Sequence, residues 1–242
     1  VILTLVLDAS KKRGVYQDRA VSQQILLSWS GGKDSAMALY TLRQTLHYDV
    51  AALLTTVTDE YDRISMHGVR RTLLEQQARA IGLPLQTVYI PPNASNAIYE
   101  SRLSAALTVY QQQGVQTVAF GDLFLTDIRR YREERLAQVG MEGLFPLWMR
   151  DTHELARTFI ALGFKAIVVC VDPRVLDPSF AGRLIDEEFL RQLPPGVDPC
   201  GENGEFHSFV FAGPLFREAV PFVPGERVLR DSFVFYDLVP AT

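Results

Sequence analysis

A compact apolar run from Ile25 to Trp29 changes period after a pair of glycines, where Met37, Leu39, Tyr40 and Leu42 recur at helical spacing. This pattern predicts a strand, a turn and a helix over residues 36–46. Residues 49–57 are β-branched and almost continuously apolar, as expected of a strand covered on both faces. A helix over 69–81 closes at Gly82 with Pro84 beyond it, and a strand over 85–90 is stopped by Pro91 and Pro92. A helix over 97–113 then closes at Gly114, before a strand over 116–120. Alternation of this kind predicts an α/β fold in which a doubly wound parallel sheet carries helices on both faces, joined by right-handed crossovers.

Further along, the rhythm changes. A charged helix over 127–138 is followed by Leu144-Phe145-Pro146-Leu147-Trp148, a helix over 153–162, a strand over 166–172 and a short helix over 186–192. The chain then becomes rich in proline and glycine, with short strands over 206–211 and 232–238. The expected organisation is an N-terminal extension (1–24), a Rossmann-like nucleotide-binding domain (25–148) and a smaller C-terminal α+β domain (149–242) for substrate binding and closure. The extension opens on apolar residues, but Asp8 interrupts them and no signal-type cleavage region follows. It reads as a loosely held segment or an added edge strand, too short to span a membrane.

Composition narrows the function classes. Of 242 residues, 48% are hydrophobic, ample for a conventional core. The formal net charge of −4 advertises no broad cationic surface for nucleic acid. Cys170 and Cys200 lie far apart without a Cys-x-x-Cys pattern, which argues against a disulfide framework and a zinc ribbon and fits a reducing, cytoplasmic setting.

The chemistry begins at Ser30-Gly31-Gly32-Lys33-Asp34-Ser35. A glycine turn between a strand and a helix offers bare backbone N–H groups and the positive helix end, a natural seat for phosphate. Lys33 adds a point charge, and Ser30 and Ser35 add hydroxyl donors. A Walker-type loop is excluded, because Leu27 and Asp34 stand where it needs glycine and Ser or Thr. Gly-x-Gly-x-x-Gly cannot be laid over the turn either. The run resembles the PP-loop of the ATP pyrophosphatase superfamily, whose members cleave ATP between the α and β phosphates; the resemblance implies that the loop holds pyrophosphate. Asp34 either complements the helix dipole or contacts Mg²⁺.

A second cluster is Asp198-Pro199-Cys200-Gly201-Glu202-Asn203-Gly204-Glu205-Phe206-His207-Ser208. Carboxylates, an amide and an imidazole around glycines suit a cation, ammonia or a polar substrate, or a base poised near its pKa; a polar hairpin turn is the plainer reading. Cys200 and His207 lack a second pair at zinc-site spacing. With the PP-loop, the Glu202-to-Ser208 run resembles the diphthine-ammonia ligase family, as do Ser65-Met66-His67-Gly68, Gly121-Asp122 and Pro146-Leu147-Trp148. The resemblance implies that ATP and Mg²⁺ are used to adenylate a carboxylate, diphthine on elongation factor 2 or a related acceptor. Ammonia then displaces AMP.

It further implies ATP or pyrophosphate contacts by Ser30, Gly31, Gly32, Lys33, Asp34, Ser35, His67, Gly121 and Asp122. Catalytic work would fall to Lys33, Asp34, Glu202, Glu205 and His207, and acceptor or ammonium binding to Glu202, Asn203, Gly204, Glu205 and His207. His67 could equally be a structural hydrogen-bonder. The family's Ser-x-Tyr-Gln-Arg-type run is absent: Leu125, Asp127 and Ile128 occupy the places of Ser, Tyr and Gln, which leaves room for a paralogue with another acceptor. Arg129, Arg130, Arg132 and Arg135 form either a solvated helix face or, near Gly121-Asp122, a contact to nucleotide or partner. Two other classes stay open: a PP-loop enzyme acting on an RNA base, and a sensor holding ATP or AMP without turnover. The sequence leaves a homodimer open as well.

Overall fold

Ile25 and Leu27 enter one hydrophobic core and Leu26, between them, enters another. An uninterrupted apolar strand is what a sheet covered on both faces requires. In the computed structural model, which describes residues 22–64 and 67–241, these residues form β1 (Gln23–Ser28) at the centre of a mainly parallel sheet. The expectation for the first 21 residues lies outside the described residues, as do Ser65 and Met66.

β2 (Tyr48–Thr58) and β4 (Leu85–Ile90) extend the sheet to one side of β1, and β5 (Thr117–Ala119) and β6 (Glu142–Leu144) to the other, all in parallel register. β3 (Arg63–Ile64) runs antiparallel to Val57 and Thr58 at the carboxyl end of β2. Helices α1 (Lys33–Arg43) and α2 (Arg71–Ile81) pack in the first core; α3 (Asn96–Gln112) and α4 (Thr126–Ala137) place Leu107 and Leu136 in the second. The sheet is therefore doubly wound, and its direction reverses between β1 and β5. That reversal opens the crevice where open α/β sheets bind ligands.

Helix α1 departs from expectation. It begins at Lys33 and ends at Arg43, because the chain must turn before β2 opens at Tyr48, and Leu46 is 91% exposed rather than on a buried helix face.

The second sheet is antiparallel, in the order β8 (Phe206–Ala212), β7 (Lys165–Val171), β10 (Phe233–Pro240), β9 (Phe222–Arg230). Helices α5 (Thr152–Ala161) and α6 (Glu187–Gln192) flank it, capped by the carboxylates of Asp151 and Asp186. β9 carries Pro224, which an edge strand tolerates. Phe159, Val169 and Phe209 share the first core with α1 and α2, so the two sheets are packed together. Among the described residues no helix is long and apolar enough to cross a membrane.

Beside that shared core, the seam between the sheets carries a buried polar network. β8 is an edge strand whose outward N–H and C=O groups need partners. Val210 N donates to Gly31 O at 2.9 Å, and fully buried Gln77 donates from Nε2 to Gly31 O at 2.9 Å and Val210 O at 2.6 Å. Trp29 Nε1 donates to Gln77 Oε1 at 3.0 Å. Replacing Gln77 by leucine keeps the volume but orphans Val210 O and Trp29 Nε1. Each orphaned buried group costs about 1–3 kcal/mol, so Gln77→Leu is expected to lower unfolding stability by about 2–6 kcal/mol, read as a lower urea midpoint at unchanged slope.

Candidate active site

The glycine turn joins β1 to α1 above the sheet's carboxyl edge. Gly31 has φ +77°, a left-handed conformation suited to glycine, and a Cβ there would lie 2.7 Å from Gln77 Oε1. Gly121, at the end of β5, lets the loop pass: a Cβ would meet the Asp34 carbonyl carbon at 2.8 Å. Ser35 Oγ donates to Gly32 O at 2.9 Å and lies 3.3 Å from Ser30 Oγ. Lys33 N, at the start of α1, donates to Ser208 Oγ at 3.2 Å.

Lys33 is 3% exposed. Its ammonium meets Asp34 Oδ2 at 2.8 Å and Oδ1 at 2.9 Å, and donates to the Cys200 carbonyl. Burial opposes that charge, but Asp34, with weaker help from Asp198, raises the lysine pKa above its ordinary value. The cation is thus held by the loop's own acidic residue and by the second sheet's preceding loop.

Two adjoining cavities meet at this point. A polar one of about 270 Å³ is lined by Ser30, Gly32, Lys33, Asp34, Ser35 and Asp122 from the first sheet's side, and by Gly201, Glu202, Gly204, His207 and Ser208 from the other. A larger, mostly apolar cavity of about 510 Å³ runs between α3 and α4 over the ends of β1, β2 and β5, with Leu54, Thr55, Leu107 and Val118 in its wall. Ser28, Ser30, His67, Phe120 and Arg132 line both. Thr55 Oγ1 is buried and has no hydrogen-bond partner among the described residues.

The four side chains expected to act together in the second cluster divide. Glu202 reaches across to the β5–α4 loop, where Oε1 accepts from Leu123 N at 2.7 Å. Burial raises its pKa to about 7 against the opposing effect of that hydrogen bond. His207 faces the cavity with its ring centroid 4.3 Å from that of His67; burial first, then His67 and Lys33, lower its pKa well below the ordinary histidine value. Glu205 and Asn203 do not line the cavity. Glu205 Oε1 instead accepts from Asp198 N at 3.0 Å and Asn203 Nδ2 at 2.9 Å, tying the loop to itself. Cys200 is buried, with its thiol pushed up to about 12 by burial.

On α4 the arginines are not a solvated face, Arg130 excepted. Arg132 pairs with Asp122 at 2.6 Å and lies over the Phe120 ring, Arg135 pairs with Glu100 at 3.0 Å, and Arg129 stacks on Phe145 and Trp148. Asp122 therefore lines the cavity with its carboxylate already held. Gln77, Thr55 and Ser208 carry no local sequence signal beyond the last one's place at the end of the Glu202-to-Ser208 run. Among the described residues no three His, Cys, Asp or Glu side chains form a metal cage.

Residues 23–143 match the family model of the diphthamide synthase N-terminal domain, and residues 151–239 that of the diphthamide synthase C-terminal domain. The chain belongs to the diphthamide synthase family. Relatives in that family include the diphthine-ammonia ligase of Mus musculus, 27% identical over 231 residues that cover 85% of each chain. That of Homo sapiens is 27% identical over 228 residues, again 85% of each. The Schizosaccharomyces pombe diphthine-ammonia ligase is 24% identical over 222 residues, 84% of this chain but 36% of the longer relative. In diphthamide synthase terms, the polar cavity lies where the two matched regions meet, with the glycine turn on one side and the Glu202 loop on the other.

Glu202 gives the site a pH signature. Its folded-state pKa of about 7 exceeds the unfolded value of about 4.3, so the folded protein binds the extra proton between them and stability falls as pH rises through that window. Glu202→Gln removes this dependence. Relative to the variant, the wild type is expected to lose stability between pH 5 and pH 7.5, measured by urea unfolding at both.

Proposed function

We propose that the protein is an ATP-dependent amide-forming ligase of the PP-loop type that adenylates the diphthine carboxylate of elongation factor 2 and amidates it with ammonia. The observation carrying this reading is that a glycine turn with a buried lysine and a loop with a carboxylate of raised pKa face each other across one cavity. The family's diphthine-ammonia ligases support the acceptor and the nitrogen source.

A carboxylate is a poor electrophile until one oxygen becomes a good leaving group. In the proposed sequence that oxygen attacks the α-phosphorus of ATP, the α–β phosphoanhydride bond breaks and pyrophosphate departs. Ammonia then attacks the acyl carbon, the C–O bond to AMP breaks, and the nitrogen gives up a proton. Residues before 148 hold the nucleotide and those after it close the phosphate side. The apolar cavity receives the base and ribose. Gly32 and Lys33 face the pyrophosphate, with Ser30 and Ser35 beside it.

Mg²⁺ fits the donor set, since it is usually held by one or two carboxylates together with substrate phosphates. Asp34 would supply the carboxylate, and the ion would neutralise charge on the departing pyrophosphate. Glu202, titrating near neutrality, takes the proton from ammonium or from the attacking nitrogen in this reading. His207, kept neutral, orients the acceptor beside it.

Reconstitution with ATP, Mg²⁺, ammonium and diphthine-bearing elongation factor 2 is expected to give acceptor-dependent AMP and the amide mass on the acceptor. Lys33→Ala is expected to lower turnover by about 10²–10³. ATP binding without AMP formation would overturn the ligase in favour of a nucleotide-binding sensor.

A further inference from the structure

A ligand that occupies both the polar and the apolar cavity must cross the residues they share. Lys33, Asp34 and Ser35 line the polar cavity and not the apolar one, while Leu54, Leu107 and Val118 line the apolar cavity and not the polar one. Of the shared residues, Ser28, Ser30, His67, Phe120 and Arg132, the last alone carries a fixed positive charge.

Arg132 is held in a defined plane. Its Nε donates to Asp122 Oδ2 at 2.6 Å and its Nη2 to Asp122 Oδ1 at 3.2 Å, and the guanidinium carbon lies 4.5 Å from the centre of the Phe120 ring. One edge of the fork is thus spent on a carboxylate and one face on an aromatic ring. A guanidinium has five N–H donors, and Asp122 is its one hydrogen-bond partner among the described residues. Nη1 and the outer N–H of Nη2 are therefore left for an incoming group where the cavities join. Asp122 itself lines the polar cavity, and the pairing keeps it from standing as a bare carboxylate beside phosphate.

We propose that Arg132 holds the α-phosphate of the nucleotide through its Nη1 end and keeps hold of it in both halves of the reaction. The inference deepens the ligase reading and rests on its placement of base and pyrophosphate. With the base in the apolar cavity and the terminal phosphates at the glycine turn, the α-phosphate is the anionic group that falls at the crossing. Lys33 serves the phosphates that leave, and Arg132 the one that stays. In the first half the acceptor oxygen bonds to the α-phosphorus while the bond to the bridging oxygen breaks, and that electron pair leaves on pyrophosphate. In the second half nitrogen bonds to the acyl carbon, the C–O bond breaks, and the electron pair leaves on AMP. Both steps load negative charge on the α-phosphate oxygens, where a guanidinium fixed beforehand lowers the barrier. Arg132 is then a catalytic residue supplied by α4, outside the glycine turn and the Glu202 loop.

The test compares the full chain as wild type, Arg132→Gln and the double variant Arg132→Gln/Asp122→Asn, with Arg130→Gln as a charge control on the exposed face of the same helix. Affinities for AMP and for adenosine are measured by titration calorimetry, and AMP release is followed at saturating ATP in the reconstituted reaction. Wild type is expected to bind AMP more tightly than adenosine. Arg132→Gln is expected to lose about tenfold to a hundredfold in AMP affinity with adenosine affinity within twofold, and about a hundredfold in AMP release; the control matches wild type. The double variant is expected to stay weak for AMP. Should the orphaned Asp122 carboxylate unfold the single variant, the double variant decides alone. AMP affinity restored in the double variant overturns the contact, because Arg132 would then act by screening Asp122. Equal losses for AMP and adenosine overturn it as well, since the arginine would be cavity wall. So does an Arg132→Gln protein that keeps its AMP preference, or its AMP release; the ligase reading survives each of these. A wild type that binds neither AMP nor adenosine overturns the ligase reading and this contact together.

Discussion

The free edge of β8 needs hydrogen-bond partners, and the glycine turn and Gln77 supply them. This one seam fixes most of the site. An edge strand left open in a protein interior would bury unpaired backbone groups at a cost comparable to lost hydrogen bonds. Closing it on Gly31 sets the left-handed turn, the turn sets where α1 begins, and the start of α1 sets where Lys33 and Asp34 stand. The same strand brings His207 and Ser208 into the cavity beside that turn. Loop geometry and domain packing are therefore one constraint.

Charge follows from that packing. A lysine that is 3% exposed would shed its proton unless acceptors surrounded it, and here they come from both sides of the seam: Asp34 from its own helix and the Cys200 carbonyl from the facing loop. Glu202 is treated in the opposite way. It is half-buried, and desolvation outweighs its backbone hydrogen bond and the pull of Lys33, so its proton is held until about neutrality. Two ionisable groups lining one cavity are thus driven apart in their readiness to give up a proton, as acid–base chemistry near neutral pH requires.

Much of this was legible in local pattern, and the remainder is long-range. The parallel sheet, its helices and the glycine turn are written in runs of a few residues, where apolar period and glycine placement leave little freedom. Glu202 and His207 stood in a readable motif, but the motif does not say which of its side chains turn inward. Glu205 and Asn203 turn back on their own loop instead. Gln77 is an ordinary polar residue on an amphipathic helix until contacts 46 and 133 residues away give it work. The arginines of α4 read as a solvated face by composition, yet aromatic rings and acids from α3 and the β5 loop draw three of them onto the protein. β9 is masked by its own Pro224 and Gly225, which a central strand would reject.

The seam also sets an order in time. Ser208 follows Lys33 by 175 residues, so during synthesis the glycine turn leaves the ribosome long before the strand that will hold it. At about 5–20 residues per second, that interval is roughly 10–35 s. For that period the first sheet can assemble, but its glycine turn lacks the hydrogen bonds to Val210 and Ser208. The nascent chain thus completes the frame of the glycine turn only when the second sheet docks, and a truncated product ending before β8 would carry the motif without that frame.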